Sequence, residues 1–212
     1  MKETKEIRYF PIENVRAESD QKGNKKISGY AAVFEKFSQV IYNFKEKIAK
    51  GAFAETINGG DVRALWSHNT DLVLGRTRAG TLRLKEDDYG LFFELDLPDT
   101  STGNDAFTLI KRGDVTGMSF GFSVEKESWE QGKEGNPHVR TLEKVALFEV
   151  SPTAFPAYEA TSVQARDLSQ LVKEVEVEWA EKMKQQNDST TKPIGDLVRQ
   201  INLLEKGLVI NF

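Results

Sequence analysis

Hydrophobic and small polar residues alternate most regularly over Val115-Thr116-Gly117-Met118-Ser119-Phe120-Gly121-Phe122-Ser123-Val124. A period of two predicts a β-strand. Met118, Phe120 and Phe122 then share one face with Thr116 and Val124, while Val115, Gly117, Ser119, Gly121 and Ser123 share the other. Ser119 therefore has a glycine two places before it and another two places after it, on its own face. Glycine inside a strand marks close approach of a ligand or another backbone. The Ser119 hydroxyl is either a nucleophile facing a bound peptide or a small side chain packed under a loop, and the pattern admits both.

The rest of the chain predicts more strands than helices. Glu6 to Ile12 reads as a first strand that stops near Pro11, and Lys26 to Phe34 as a buried one. Phe37 to Phe44 predicts a further short strand. Lys45 to Thr56 places Ile48, Ala52 and Phe53 at helical spacing, with Ile57 just beyond, and predicts a short helix ending at Asn58-Gly59-Gly60. Gly51 inside it costs about 1 kcal/mol. Val62 to His68 predicts a strand in which Val62, Ala64, Trp66 and His68 share a face. Leu72 to Thr77, Thr81 to Lys85 and Leu91 to Leu97 predict a meander. Residues 98–102 are rich in capping types, Ala106, Leu109 and Ile110 form a helical face, and Gly113 is placed to end that helix. Val139 to Val150 predicts a return strand, broken by Ser151-Pro152. Its end is apolar on both faces except for Glu149, a carboxylate that must be paired or hydrogen-bonded if buried.

After Tyr158 the pattern changes to a helical period. Leu168, Leu171, Val172, Val175, Trp179 and Met183 make one amphipathic stripe, and Ile194, Leu197, Val198, Ile201, Leu204 and Leu208 make a second. These predict a helical tail over 161–212, set apart from a domain over 1–160. The tail either packs back on the core or acts as a partner-binding arm.

Composition narrows the function classes. Of 212 residues 39% are hydrophobic and 29% charged, enough apolar residues for a core. No apolar run reaches the roughly 20 residues of a membrane-spanning helix, and the polar start from Met1 to Glu6 predicts no signal peptide. There is no cysteine, which excludes disulfides, a thiol nucleophile and thiolate metal sites. His68 and His138 are the two histidines, not at ligand spacing, so neither a metal nor a cofactor is expected. A net charge of −4 argues against broad nucleic-acid binding.

Three segments, in order, resemble the tailed-phage prohead (capsid maturation) proteases. They are Ala64-Leu65-Trp66-Ser67-His68-Asn69, Gly117 to Phe122, and Leu147-Phe148-Glu149-Val150-Ser151-Pro152-Thr153-Ala154-Phe155-Pro156-Ala157. Ile27 to Phe34 and Lys50 to Phe53 also fit, so the resemblance spans roughly residues 6 to 160. It implies an α+β fold, mainly an antiparallel β-barrel with a few surrounding helices, related to herpesvirus assemblin. It implies a serine endopeptidase that cleaves capsid or scaffold segments and then itself. Such an enzyme works inside a procapsid assembling in the host cytoplasm, or is encoded by an integrated prophage. The substrate would be the major capsid protein or its scaffold segment, with self-association in the procapsid and neither nucleic acid nor membrane as a partner.

The resemblance puts the nucleophile at Ser119 and the base at His68. A serine needs an adjacent base to attack a peptide carbonyl, and a third group orients the base. Herpesvirus relatives use a second histidine there. The phage motif offers Glu149, preferred to His138, which sits beside Pro137 in a polar hairpin. The competing role for Glu149 is a structural ion pair with Arg63 or Arg76. For oxyanion or substrate binding the candidates are Gly75-Arg76, which follows His68, and Gly117 and Gly121, which flank Ser119. A non-enzymatic assembly protein on the same barrel is the rival reading, disfavoured because a scaffold needs no His68 and Ser119 in their motifs.

Overall fold

The computed structural model describes residues 5–11, 15–133, 135–154 and 169–185, in a chain that divides into two units, Met1–Thr161 and Ser162–Phe212. In the first unit β1 (Glu6–Pro11), β2 (Arg16–Ser19), β3 (Lys25–Val33) and β4 (Phe44–Ile48) precede a short helix, α1 (Ala54–Gly59). Then come β5 (Arg63–Trp66), β6 (Asn69–Arg76), β7 (Leu82–Glu86), β8 (Gly90–Asp96), α2 (Ser101–Arg112), β9 (Gly117–Glu130) and β10 (His138–Thr153). In the second unit residues 169–185 are helical, as the first stripe predicts. The second predicted helix, Ile194 to Leu208, and the linker from Tyr158 to Arg166 lie outside the described residues.

The fold is a strand-rich α+β arrangement. The expected barrel does not close: pairing among the described strands gives two open sheets. One runs β1-β9-β10-β5-β6, with β4 also on β10, and the other runs β2-β3-β8-β7. The expected meander breaks between them, because β6 pairs with β5 while β7 pairs with β8. A 3₁₀ turn at Thr77–Ala79, closed by Gly80 at φ 71°, carries the chain from one sheet to the other. Gly80 allows this because it has no Cβ to oppose a left-handed backbone.

β9 and β10 are the long central pair. Their core faces bring Met118, Phe120 and Phe122 together with Leu147 and Val150. The same hydrophobic cluster takes Ile27 from β3, Leu82 from β7, and Leu91, Phe93 and Leu95 from β8. Burying each such side chain stabilises the fold by about 2 kcal/mol. α2 adds Ala106 and Ile110 to the cluster. Its start is capped by Thr100 Oγ1, which accepts from the Gly103 N–H at 3.2 Å. Its end is closed by Gly113 at φ 85°, as its position in the sequence predicts.

Two expectations are corrected in β4. Residues 37–43 form a loop rather than a strand, and Phe44–Ile48 forms a strand rather than the start of a helix. Phe44, Glu46 and Ile48 all point inward. Glu46 conceals the period of two because a buried glutamate reads as a surface residue. It is tolerated by its partners: Arg8 at 2.6 Å and 3.0 Å, and Arg140 at 2.9 Å. Arg140, 1% exposed, also holds Glu6 at 2.9 Å and Glu127 at 2.7 Å. Burial opposes the charge on Glu6, but Arg140 and Arg8 outweigh it and hold that carboxyl below its ordinary value. Burial likewise opposes the Arg140 charge, and Glu6, Glu46 and Glu127 more than offset it, raising the pKa.

β10 also runs further than predicted. Ser151 and Pro152 stay in the strand, paired to Ser119 and Met118 of β9. Pro152 lies beyond the last β5 pair, Val150 with Ala64. A proline is accepted where no neighbouring strand needs its missing N–H.

Candidate active site

The polar face of β9 is where the candidate residues meet. Ser119 lies directly across from Ser151 of β10 on one side and Tyr9 of β1 on the other. Gly121 lies across from Glu149, and Gly117 across from Thr153. Cross-strand partners project to the same face, so Ser119, Ser151 and Glu149 form one polar cluster behind the phenylalanine-lined core. Ser119 is 1% exposed.

His68 reaches the cluster from the β5–β6 hairpin. Ser67 and His68 form a two-residue turn with φ of 50° and 62°, and Trp66 pairs with Asn69 across it. Positive φ at both central residues is the turn geometry that matches strand twist, and it ordinarily selects Asn-Gly. Two non-glycine residues held there store local strain, a feature that concentrates at functional sites. Two contacts with β10 hold the turn down. The Ser67 N–H donates to the Pro152 carbonyl at 3.2 Å, and the His68 N–H donates to Ser151 Oγ at 3.1 Å. The expected strand from Val62 to His68 therefore stops at Trp66, and the turn redirects the imidazole.

The His68 ring is hydrogen-bonded to Glu149. Nδ1 lies 2.7 Å from Glu149 Oε1, with His68 25% exposed and the Glu149 side chain 3% exposed. A carboxylate can only accept here, so this bond places a proton on Nδ1, and in the neutral ring it leaves Nε2 as the acceptor. Glu149 Oε2 accepts a second hydrogen bond from Ser151 Oγ at 2.6 Å. The carboxylate is thus satisfied by His68 and Ser151 rather than by Arg63 or Arg76. Both arginines bind Asp61 instead. Arg76 chiefly, through its hydrogen bond, holds the Asp61 carboxyl down to about 2.

Ser119 Oγ donates its one proton to the main-chain carbonyl of Arg8 at 2.9 Å, not to His68. The expected serine–histidine hydrogen bond is therefore not made in this state, although both residues serve the same face through Ser151.

The remaining candidates are placed as follows. Arg76 ends β6, paired with Arg63 of β5 and with its guanidinium committed to Asp61. His138 begins β10, on the order of 30 Å along the strand from Glu149, and its Nδ1 accepts from the Gly132 N–H at 3.0 Å. The space beside Gly117 and Gly121 is not open to a ligand. A methyl group at Gly117 would overlap the Tyr9 ring, and one at Gly121 would lie 2.5 Å from Glu149 Oε1 and 3.0 Å from Lys5 Cε. The glycines clear room for the protein's own side chains. Ser151 carries no motif of its own in sequence reasoning, where Ser151-Pro152 looks like a strand breaker; only its i+2 spacing from Glu149 hints at a shared face. Among the described residues no cluster of His, Cys, Asp or Glu is arranged to hold a metal ion.

Gly121→Ala therefore tests the Glu149 position directly. The new methyl must push Oε1 away from Nδ1, because the carboxylate end is the movable partner. The expected outcome is a drop in turnover of about 100-fold with little change in Tm. Wild-type turnover in that variant would show that the His68–Glu149 contact is dispensable.

The family model for the caudovirus prohead serine protease matches residues 13–174. The solved bacteriophage T4 capsid assembly protease, gp21, aligns at a TM-score of 0.46 with 12% sequence identity, covering 70% of this chain and 96% of that one. No curated protein matches.

Proposed function

The chain belongs to the caudovirus prohead serine protease family, and on that premise we propose that Ser119 is its nucleophile, His68 its general base and Glu149 the group that orients His68. The observation that carries this is the Nδ1–Oε1 contact of 2.7 Å, made beside the strand pair that holds Ser119. Substrate entry turns Ser119 Oγ from the Arg8 carbonyl toward Nε2. Oγ then attacks the scissile carbonyl carbon as its proton passes to Nε2. The imidazolium is stabilised through Nδ1–H by the Glu149 carboxylate, and it returns the proton to the leaving amine as the peptide C–N bond breaks. A water, deprotonated by the same nitrogen, hydrolyses the acyl-serine.

The substrates in this proposal are segments of the major capsid protein or its scaffold, and the chain itself, inside the assembling procapsid of the host cytoplasm. The 161–212 tail is a partner-binding or self-cleaved appendage, and self-association accompanies assembly. Kinship in fold with herpesvirus assemblin belongs to the same proposal. It is supported by a strand-rich core that carries Ser119 and Glu149 on neighbouring strands.

The test is self-cleavage of the purified chain, followed by mass spectrometry. Glu149→Gln keeps the shape of the carboxylate but presents an amide to Nδ1, which favours the wrong tautomer. Fragment release is expected to slow by about 10⁴-fold, with folding retained. Equal fragment release from both proteins would return Glu149 to a structural role.

A further inference from the structure

The buried Ser151 hydroxyl hydrogen-bonds to both members of the His68–Glu149 pair. Its single hydroxyl proton goes to Glu149 Oε2 at 2.6 Å. One of its lone pairs takes the His68 main-chain N–H at 3.1 Å. The residue has no exposed surface and lies directly across from Ser119. These contacts address two separate freedoms. A carboxylate bound through Oε1 alone can pivot about its terminal torsion, which is broad and soft; a second bond on Oε2 fixes its plane. A histidine at φ 62° sits in a left-handed turn that other residues leave readily. The bond to its N–H, with the Ser67–Pro152 bond beside it, holds that turn against β10. No described buried side-chain polar atom is left unpartnered, so the hydroxyl does not have a competing partner to satisfy.

We propose that Ser151 is a positioning residue of this site, one hydroxyl that sets both the backbone of the base and the carboxylate plane of its orienting partner. The inference rests on the proposed roles of Ser119, His68 and Glu149. It adds that the serine after Glu149 in the Glu149-Val150-Ser151 segment acts through them and is not itself a nucleophile. Both hydrogen-bonding functions of the hydroxyl are spent on the pair, so a variant that keeps a hydroxyl keeps the geometry. One that loses it lets the carboxylate turn and the hairpin lift while the fold around them persists.

The experiment uses the full chain and two readouts. The first is the rate at which a small serine-reactive organophosphonate labels Ser119, which needs no knowledge of the natural substrate. The second is the downfield proton resonance of His68 Nδ1–H, assigned with His138→Gln. Ser151→Ala is expected to slow labelling by about 100-fold and to shift or broaden the Nδ1–H resonance. Ser151→Thr, which keeps the hydroxyl, is expected to restore both to within a few-fold of wild type. If Ser151→Ala fails to fold, Ser151→Cys has nearly the same shape with a weak donor, and it should show the same two losses. Wild-type labelling with a wild-type resonance in a folded Ser151→Ala or Ser151→Cys overturns the proposal. An unlabelled wild-type chain whose resonance still responds to Ser151→Ala supports the positioning role and instead sinks the hydrolytic reading.

Discussion

Ser119→Ala is expected to leave the chain folded and to abolish self-cleavage, lowering turnover by about 10⁴-fold or more. The loss is this large because the alcohol oxygen is the atom that forms the acyl bond; no neighbouring hydroxyl can substitute. Ser151 lies directly across from Ser119, and its proton and acceptor site are both committed to Glu149 and His68. The effect on stability is small by contrast. Ser119 gives up one hydrogen bond, to the Arg8 carbonyl, a net change of about 1 kcal/mol, and alanine fills nearly the same volume. Urea denaturation and a fragment time course on the same preparation separate the two effects. A variant that cleaves itself at the wild-type rate would mean that another protease is present or that another residue is the nucleophile.

Arg140→Met is expected to produce the largest loss of stability, about 3–5 kcal/mol. The guanidinium is 1% exposed and binds Glu6, Glu46 and Glu127 at once, with Trp129 packed 5.7 Å from its centre. Methionine fills the space but leaves Glu127 without the guanidinium and Glu6 and Glu46 with Arg8 as their ion-pair partner. The pH dependence carries the diagnostic sign. In the wild type Glu6 has a folded-state pKa below its unfolded one. Its stabilisation is therefore complete above the unfolded-state pKa and is lost as pH falls through the folded one. In the variant the Arg140 contribution is gone, so the Glu6 carboxyl loses its strongest charge partner against burial and acid costs the variant less than the wild type. The gap between wild type and variant should be widest near neutrality and narrow through the carboxylate range. A gap that stays constant from pH 7 to pH 4, read from denaturation midpoints, would mean the cluster does not act through its charges.

The site and the core were unequally legible in the sequence, for identifiable reasons. The face of β9 that carries Ser119 follows from alternation alone, since Met118, Phe120 and Phe122 leave no choice of which side faces the hydrophobic cluster. The end of α2 at Gly113 follows from local chemistry in the same way. Glu149 as a carboxylate needing a partner was also visible, because it interrupts an apolar run. What pattern could not show was the partner. His68 reaches Glu149 through a turn whose positive φ values have no glycine to announce them. The glycines beside Ser119 pointed to open space, and the space is real, but Glu149 and Tyr9 occupy it. β4 was missed because its middle inward residue is Glu46. The two arginines that make this burial possible come from β1 and β10, far away in sequence. The barrel, an expectation from resemblance, fails at the link where β6 and β7 part into different sheets.

The same geometry weighs against a purely structural scaffold. A protein that only assembles has no use for a strained histidine turn tied to a buried carboxylate, and the family match is to serine proteases. The decisive property is that Ser119 is a nucleophile that depends on His68. The most direct measurement is mass-spectrometric mapping of the chain after reaction with a serine-reactive organophosphonate. The account predicts one adduct, on the peptide containing Ser119, and its loss in His68→Ala. An adduct on Ser151 instead, or labelling of Ser119 that persists at the same rate in His68→Ala, would contradict it.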